Sequence, residues 1–215
     1  MPRSIVIVGN GAVPEGLAGP IDAADLVIRF NGCRSAGPGG TKTDVVAVCN
    51  TGRPALEMLA GGRWKASATV RQAREIWCVR TAEMFAAMRA PLAVSHPDLD
   101  DFCDDYTAGF RAFASVTGRR LAVVPAEVHR RLDLSLAAFA PEPYVVPSSG
   151  LIVIAHVLEN IAAAGDRVSL AGFGHEGWQW HPFAAERRWV EERIAAGRLD
   201  RLHPLPTCVK SGHAP

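Results

Sequence analysis

The sequence predicts an α/β fold, a single Rossmann-like three-layer domain with a mostly parallel sheet. Short runs rich in β-branched residues alternate along the chain with longer helix-like stretches, a pattern typical of a parallel sheet covered by helices on both faces. No internal repeat or low-complexity linker divides the 215 residues, and 48% of them are hydrophobic. That length and composition suit one domain with a full core.

The elements follow in order. The predicted strands cover residues 5–8, 26–30, 45–49, 75–79, 121–124 and 168–171. The helix-like stretches cover residues 54–59, 82–89, 104–117, 126–139, 150–164 and 182–196. Residues 35–40 are rich in Gly and Pro, which predicts a loop near the sheet edge. We expect one domain over residues 1–208 and a flexible tail over residues 209–215.

Composition argues against several classes of protein. Lys and Arg number 23 against 22 Asp and Glu, so charge gives no reason to expect nucleic-acid binding. No apolar run approaches the roughly 18 residues of a membrane span. The strand pattern begins at once, so we expect no signal peptide. The five cysteines are odd in number and widely spaced, which favours buried, reduced thiols and a cytoplasmic location.

A glycine-rich turn follows the first predicted strand. A dinucleotide fingerprint would need glycine at Pro14 and an acidic residue at the end of the second strand, which instead ends at Asn31. A nicotinamide site is therefore disfavoured. Gly9 and Gly11 are still expected to let a ligand approach the backbone. Asn10 lies where open α/β sheets bind ligands, although a simple turn role also fits it.

Asn31 ends the second strand at the same rim as Asn10. Two neutral amides on adjacent strand ends can bracket a nucleotide's phosphate or sugar. The side chain of Arg29 is expected on the face opposite its neighbours. Pairing with Asp22 or Asp25 is as plausible for Arg29 as contact with a ligand.

The segment Pro147-Ser148-Ser149-Gly150 opens a long apolar stretch. Either serine can cap the predicted helix, whose first N–H groups have no partner within the helix. Gly150 is expected to leave room for a ligand at those amides. A helix start of this kind suits phosphate or carboxylate, although ordinary capping also explains the serines.

His181 is the candidate general base. Pro182 suits a first helical position, so His181 lies at a helix start, where the positive helix end favours a neutral imidazole. Glu186 lies one and a half turns further on and is expected to orient either the histidine or the helix. His175 is a second candidate, beside the loop Gly172-Phe173-Gly174.

No metal site is expected. His175, Glu176 and His181 have the wrong spacing for the HExxH zinc motif. The acidic residues between Asp98 and Asp105 are more typical of a solvated loop and a helix start, where carboxylates interact favourably with the helix dipole. Two alternatives are open for Trp178 and Trp180. They line a site for a sugar or a base, or they only pack within the fold. No cofactor is predicted.

Taken together, these motifs resemble those of the animal-type sialyltransferases, glycosyltransferase family 29. The first motif of that family is matched by Val8-Gly9-Asn10-Gly11, Ile21-Asp22, Asp25, Val27-Ile28-Arg29, Asn31 and Lys42-Thr43. Its second motif is matched by Pro147-Ser148-Ser149-Gly150 and Gly172-Phe173-Gly174. Its last motif is matched by His181 and Glu186. The matches span most of the chain in the family's order.

The resemblance implies a sialyltransferase-like variant of the nucleotide-sugar transferase fold. It implies a CMP-sugar donor, with the cytidine monophosphate held by Asn10, Asn31, the Ser148–Gly150 segment and the loop from Gly172 to His175. His181 would then deprotonate an acceptor hydroxyl, assisted by Glu186, in an inverting transfer without a metal. The acceptor is not implied by the motifs.

The chain departs from the family at three points. The family's disulfide has no counterpart, since no cysteine precedes Ile5 and Asp166 stands near the expected partner position. We expect no membrane anchor or stem, which would suit a bacterial cytosolic protein. The stretch between Gly174 and His181 is short, so Trp180-His181 could correspond to the family's third motif, and the choice between His181 and His175 as base stays open.

The chain also resembles small bacterial proteins called urease operon accessory proteins, a name that describes gene neighbourhood rather than chemistry. An alternative therefore stands beside the transferase. In that alternative the protein is non-catalytic, retains the nucleotide pocket and binds a protein partner. A nucleotide-binding enzyme of another class is a third hypothesis, because a fold does not fix a function.

Overall fold

The computed structural model describes residues 1–204 and shows a three-layer α/β domain. Its sheet has seven strands, all parallel, in the order β5-β4-β3-β2-β1-β6-β7. The strands are β1 Ser4–Val8, β2 Leu26–Phe30, β3 Val45–Val48, β4 Glu75–Cys78, β5 Arg120–Val123, β6 Arg167–Ala171 and β7 Asp200–Arg201. The predicted fold class is confirmed. The predicted tail over residues 209–215, and the domain's end at residue 208, lie outside the described residues.

Helices cover both faces of the sheet. They are α1 Ala18–Asp22, α2 Gly52–Ala60, α3 Arg63–Ala66, α4 Ala68–Gln72, α5 Ala82–Ser95, α6 Thr107–Val116, α7 Ala126–Ala137, α8 Ser149–His156 and α9 Phe183–Ala195. A 3₁₀ turn follows α5 at Pro97–Leu99, and a π-helical turn, Val157–Ile161, extends α8. The sequence did not predict the short elements α1, α3, α4 and β7, because pieces of two to five residues carry too few positions to show a period.

Alternate strand residues pack into separate cores because side chains of a strand point to opposite faces. Ile5 and Ile7 of β1 pack with α7, α8 and α9, whereas Val6 and Val8 pack with α1. Val46 and Val48 of β3 face a third cluster with α2 to α4 and α6. The continuous apolar run of α8 is explained by its burial, since every residue from Leu151 to His156 is buried.

Arg29 has a structural role that the sequence did not predict. Its side chain is fully buried and donates to the carbonyls of Lys42, Gly39 and Gly40 and to the Thr43 hydroxyl, at 2.8 to 3.1 Å. It forms an ion pair with neither aspartate considered above. The arginine therefore fixes the Gly/Pro-rich loop against β2.

An ion pair joins Arg3 and Asp166, the residues that directly precede β1 and β6. The Asp166 carboxylate accepts from the backbone N–H of Arg3 at 2.8 Å and from its guanidinium at 2.7 and 3.0 Å. These bonds lower the pKa of Asp166 to about 2. The pair lies where the resembling family was expected to carry a disulfide. Among the described cysteines, Cys33, Cys49, Cys78 and Cys103 are free thiols.

Candidate functional site

A crevice opens at the point where the strand order reverses. From β1 the chain runs outward through β2 to β5 and then returns to place β6 on the other side of β1. Open α/β sheets bind ligands at the carboxyl ends of strands on either side of such a point. A cavity of about 980 Å³ lies there, near the upper end of the roughly 300–1,000 Å³ typical of small-molecule sites.

All of the predicted site residues line this one cavity. They are Gly9, Asn10, Gly11, Asn31, Ser148, Ser149, Gly150, Gly172, Phe173, Gly174, His175, His181 and Glu186. The structure thus brings together four segments that are far apart in the sequence. Their roles in binding and catalysis stay predictions.

Glycines allow the loop after β1 to pack closely against the loop after β6. Gly9 N–H donates to Ala171 O at 2.8 Å, and Gly11 N–H donates to Gly172 O at 3.0 Å. A Cβ at Gly9 would collide with the Gly172 carbonyl oxygen, and one at Gly11 would lie 2.9 Å from it. The space that we expected for a ligand beside these backbones is therefore largely taken by a neighbouring loop.

Gly150 also differs from its predicted role. A Cβ there would lie 2.8 Å from the ring of Phe173, so the absent side chain accommodates that ring rather than leaving an opening. Phe173 packs edge-on against Phe30, with ring centroids 5.9 Å apart. The cavity floor is thus a packed aromatic pair beneath the start of α8.

The two asparagines hold the rim together while keeping some hydrogen-bonding capacity. Asn10 donates to Phe30 O at 3.2 Å and accepts from Arg34 N at 2.9 Å, which supports its turn role. Asn31 has a left-handed backbone with φ 48°, a conformation that asparagine tolerates. Its Oδ1 accepts from Cys49 N at 2.8 Å. Its Nδ2 forms no hydrogen bond within residues 1–204.

Ser148 caps α8, and Glu186 anchors the cap. The Ser148 hydroxyl accepts from Leu151 N at 3.2 Å and donates to Glu186 Oε2 at 2.7 Å. Glu186 Oε1 accepts from Ser148 N at 2.6 Å. Of the two roles predicted for Glu186, the structure supports orientation of the helix. The N–H groups of Ser149 and Gly150 lie in the first turn, where no intrahelical acceptor is available.

His181 is held in one orientation. Its Nδ1 lies 2.8 Å from Val146 O, and that carbonyl can only accept, so Nδ1 carries the proton. Nε2 then has a free lone pair. It forms no hydrogen bond with the described residues and is not sealed from the cavity. Burial, together with the charge of Arg80, lowers the pKa of His181 to about 4, so the imidazole is neutral at pH 7.

His175 presents a different environment. Its Nε2 is buried without a hydrogen-bond partner among residues 1–204, and its backbone has φ 52°. Burial and the charges of Arg201 and Arg187 lower its pKa to about 4. His181 Nε2 is therefore open to the cavity, whereas His175 Nε2 is not, and the choice between the two histidines as base stays a prediction.

Aromatic side chains form one wall of the cavity. Trp178 stacks on Phe102, with centroids 5.5 Å apart and planes 18° apart, and lies edge-on to His181 at 4.9 Å. Trp180 instead packs against His96 at 4.3 Å. Of the two alternatives considered for the tryptophans, the structure places Trp178 on the cavity wall and Trp180 in packing.

The acidic stretch after α5 is engaged in ion pairs and local bonds. Asp101 accepts from Arg53 at 2.8 Å, and Asp104 accepts from Arg89 at 2.8 Å. Asp105 accepts from the N–H and hydroxyl of Thr107 at the start of α6. Within residues 1–204, no group of three or more His, Cys, Asp or Glu side chains has an arrangement suited to a metal ion.

Arg80 is a cavity residue that was not among the residues predicted for the site. It lies two residues beyond the carboxyl end of β4 and lines the cavity. The signal was available, since a charged residue directly after an apolar strand stands at the same rim as Asn10 and Asn31.

Comparison with solved structures shows which proteins share this fold. The chain superposes on a mammalian sialyltransferase with a TM-score of 0.57 at 15% identity, covering 94% of this chain and 69% of that one. It superposes on the sialyltransferase CstII from Campylobacter jejuni, in complex with the substrate analogue CMP-3FNeuAc, with a TM-score of 0.55 at 13% identity, covering 94% and 82%. The fold is sialyltransferase-like.

The family follows from a curated relative. The urease operon 23 kDa accessory protein of Rhizobium meliloti (strain 1021) is 70% identical over 203 residues, which cover 94% of each chain. The protein therefore belongs to the family of the urease operon 23 kDa accessory protein. No family model matches the chain. Within residues 1–204, every helix is too short or too polar to cross a bilayer.

Proposed function

We propose that this protein is a glycosyltransferase that moves a sialic-acid-like sugar from a CMP-sugar to an acceptor hydroxyl. The observation that carries the proposal is the placement of His181. An imidazole with a free Nε2 shares a cavity with the open N–H groups at the start of α8. A proton acceptor and an anion site in one crevice are what such a displacement requires.

The proposed reaction is one inverting displacement without a metal. The acceptor oxygen forms a bond to the anomeric carbon while the bond from that carbon to the phosphate oxygen breaks. His181 Nε2 takes the acceptor proton, and CMP leaves with the bonding electrons. The N–H groups of Ser149 and Gly150 and the Asn31 amide donate to the departing phosphate, which lowers the energy of the transition state.

The neutral state of His181 is part of the argument. An imidazole whose pKa is about 4 is a free base at pH 7 but a weak one. An anionic ligand nearby would favour the imidazolium and raise that pKa. The base would then be strengthened by the substrate itself.

A further matched structure supports the choice of a CMP-sugar. One of the matched structures is a sialyltransferase in complex with CMP, covering 95% of this chain with a TM-score of 0.53 at 13% identity. We also infer membership of glycosyltransferase family 29 from the motifs around Asn10, Ser149 and His181. The cytoplasmic location predicted from the sequence is part of the proposal.

The alternative is an accessory protein that binds a nucleotide and a protein partner without catalysis. The name of the 70% identical relative favours it. Calorimetry with CMP, UMP and NAD, followed by turnover of CMP-sialic acid, separates the hypotheses. CMP binding with turnover supports the transferase, and CMP binding without hydrolysis or transfer supports the accessory role. Tight NAD binding, or no binding of CMP, would contradict both.

A further inference from the structure

Arg80 is a buried cation on the wall of the crevice. The residue is 3% exposed, and its backbone is fixed on both sides by Asn50. Arg80 N–H donates to Asn50 Oδ1 at 2.9 Å, and Asn50 Nδ2 donates to Arg80 O at 2.9 Å. Asn50 is itself fully buried. The root of the arginine side chain is therefore held in place before any ligand arrives.

The guanidinium group lacks the partners that a buried charge normally has. Its central carbon lies 5.3 Å from the Phe85 ring centroid and 5.2 Å from that of Phe102. Nε and Nη1 are buried, and neither has a hydrogen-bond partner within residues 1–204. Nη2 also forms no hydrogen bond with these residues, but it is not buried, so it is the guanidinium nitrogen that a molecule in the cavity can reach. Arg29, the other deeply buried arginine discussed above, donates instead to several oxygens. Buried charges are costly unless they are paired and hydrogen-bonded.

The nearby carboxylates are already engaged elsewhere. Asp101 pairs with Arg53, Glu186 accepts from Ser148, and Asp133 accepts from the Tyr144 hydroxyl at 3.1 Å. In the described part of the chain, no acidic side chain forms an ion pair with Arg80 within 4.0 Å. An anion for this arginine has to come from a bound molecule.

A chain of aromatic contacts connects Arg80 to His181, the candidate base. Phe102, which lies against the guanidinium, stacks on Trp178, and Trp178 lies edge-on to His181. The arginine charge is close enough to lower the pKa of His181. Arg80 and His181 therefore stand on one wall of the cavity, and the phosphate already has uncharged donors at the start of α8.

We propose that Arg80 binds the carboxylate of a sugar acid, so that the crevice selects a donor carrying a second anionic group beside its phosphate. The proposal rests on the proposed function. A guanidinium offers a planar pair of N–H donors that match a carboxylate. Sialic-acid-like sugars carry a carboxylate on the anomeric carbon, next to the bond that breaks. The bound carboxylate would also offset the charge that depresses the pKa of His181.

The test measures binding of CMP, CMP-3FNeuAc and the methyl ester of CMP-3FNeuAc by calorimetry. The native protein should bind the acid about 10- to 100-fold more tightly than the ester, since a hydrogen-bonded charge pair is worth about 1.5–3 kcal/mol. Arg80→Met should abolish that ratio and leave CMP affinity unchanged. Arg119→Met is the matched control, because Arg119 also lies over a phenylalanine ring but outside the cavity, and it should keep the ratio.

Two results would overturn the inference while leaving the nucleotide pocket intact. One is equal affinity of the native protein for the acid and the ester. The other is a lower affinity of Arg80→Met for CMP itself, which would assign the arginine to the phosphate. If an acid other than the donor supplies the carboxylate, the ester of CMP-3FNeuAc loses nothing but an acidic acceptor sugar binds less well to Arg80→Met. That result would also contradict the donor assignment.

A second experiment tests the carboxylate site independently of the proposed function. Free N-acetylneuraminic acid is titrated while the imidazole resonances of His181 are followed by NMR. A rise in the pKa of His181 in the native protein, absent in Arg80→Met, would support the carboxylate site even if no CMP-sugar binds. An unchanged pKa of His181 in both proteins would contradict the inference. If Arg80→Met does not fold, Arg80→Lys retains the charge without the planar donor pair and should lose most of the acid-to-ester ratio.

Discussion

The Glu186 carboxylate accepts both the backbone N–H and the hydroxyl of Ser148, at 2.6 and 2.7 Å. Glu186 lies on α9 and is 1% exposed, and Ser148 is the residue that caps α8. Burial raises the pKa of Glu186, and the two bonds from Ser148 oppose that rise. The relationship fixes the helix start, whose open N–H groups form the proposed phosphate site, against the helix that follows His181.

Glu186→Gln should destabilise the protein and weaken CMP binding. A glutamine side chain keeps only one acceptor oxygen, so one of the two Ser148 donors loses its partner, at a cost of about 1–3 kcal/mol. Urea unfolding measures the free energy change. Glu192→Gln, on the exposed side of the same helix, is the control and should stay within about 0.5 kcal/mol of the native protein. Equal effects at the two positions would contradict the assigned role.

His181→Ala should reduce transfer from CMP-sialic acid by about 10²- to 10⁴-fold, the usual range for loss of a general base. Affinity for CMP should not change, because the proposed phosphate donors are the N–H groups at the start of α8 and the Asn31 amide. His175→Ala should have a much smaller effect, because its Nε2 is buried and no described carbonyl fixes its tautomer as Val146 O fixes that of His181. His203→Ala, at an exposed position, controls for loss of a histidine. A larger loss for His175→Ala would reverse the assignment.

Gly9→Ala should be strongly destabilising. The new Cβ would meet the carbonyl oxygen of Gly172, a backbone atom that is held in place by the hydrogen bond it accepts from Gly11 N–H. We expect a loss of about 1–3 kcal/mol in the free energy of unfolding, as for other overpacked positions. Gly19→Ala is the matched control, since a Cβ at Gly19 has no atom within 4 Å. It lies in α1, where alanine is favoured by about 0.5–1 kcal/mol. A stable Gly9→Ala protein would contradict the close packing.

Stability should fall as the pH drops from about 6.5 toward 4. Burial lowers the pKa values of His129, His175 and His181 to about 4, whereas unfolded histidines titrate near 6.5. Between these pH values the unfolded chain binds more protons than the folded one, so acid favours unfolding. Well above pH 6.5 these histidines are neutral in both states, and this dependence vanishes.

Urea unfolding at several pH values tests this dependence. His129→Gln should flatten the slope by up to one proton, because a glutamine amide can still donate to Val79 O, as His129 Nε2 does at 2.9 Å, but does not titrate. A curve that is level from pH 6.5 to 4 would show that these histidines are not held neutral by the fold.

Much of the fold could be predicted because its signals are local. Each of the six predicted strands lies within one residue of an observed one at either end, since runs such as residues 5–8 are buried on both faces and are continuously apolar. The two-residue strand β7 carries no such signal. It forms only because Ser169 and Leu170 of β6 present a free edge to Asp200 and Arg201.

The residue types of the candidate site could also be predicted from the sequence. Asparagine at strand ends, serine and glycine at a helix start, and a histidine before proline each indicate a local environment on their own. The capping serine, Ser148, and the anchored histidine, His181, are examples. Local pattern did not reveal which neighbour each side chain would contact.

Those contacts were decided by the tertiary structure alone. Gly9 and Gly150 were expected to make room for a ligand, but a loop and the ring of Phe173 occupy that space. Arg29 was compared with nearby aspartates, but backbone carbonyls satisfy it. Arg80 was overlooked, because the absence of a partner around a buried charge shows only once every neighbouring residue is in place. Sequence sets what each short segment can form, whereas side-chain partnership depends on residues brought together from all along the chain.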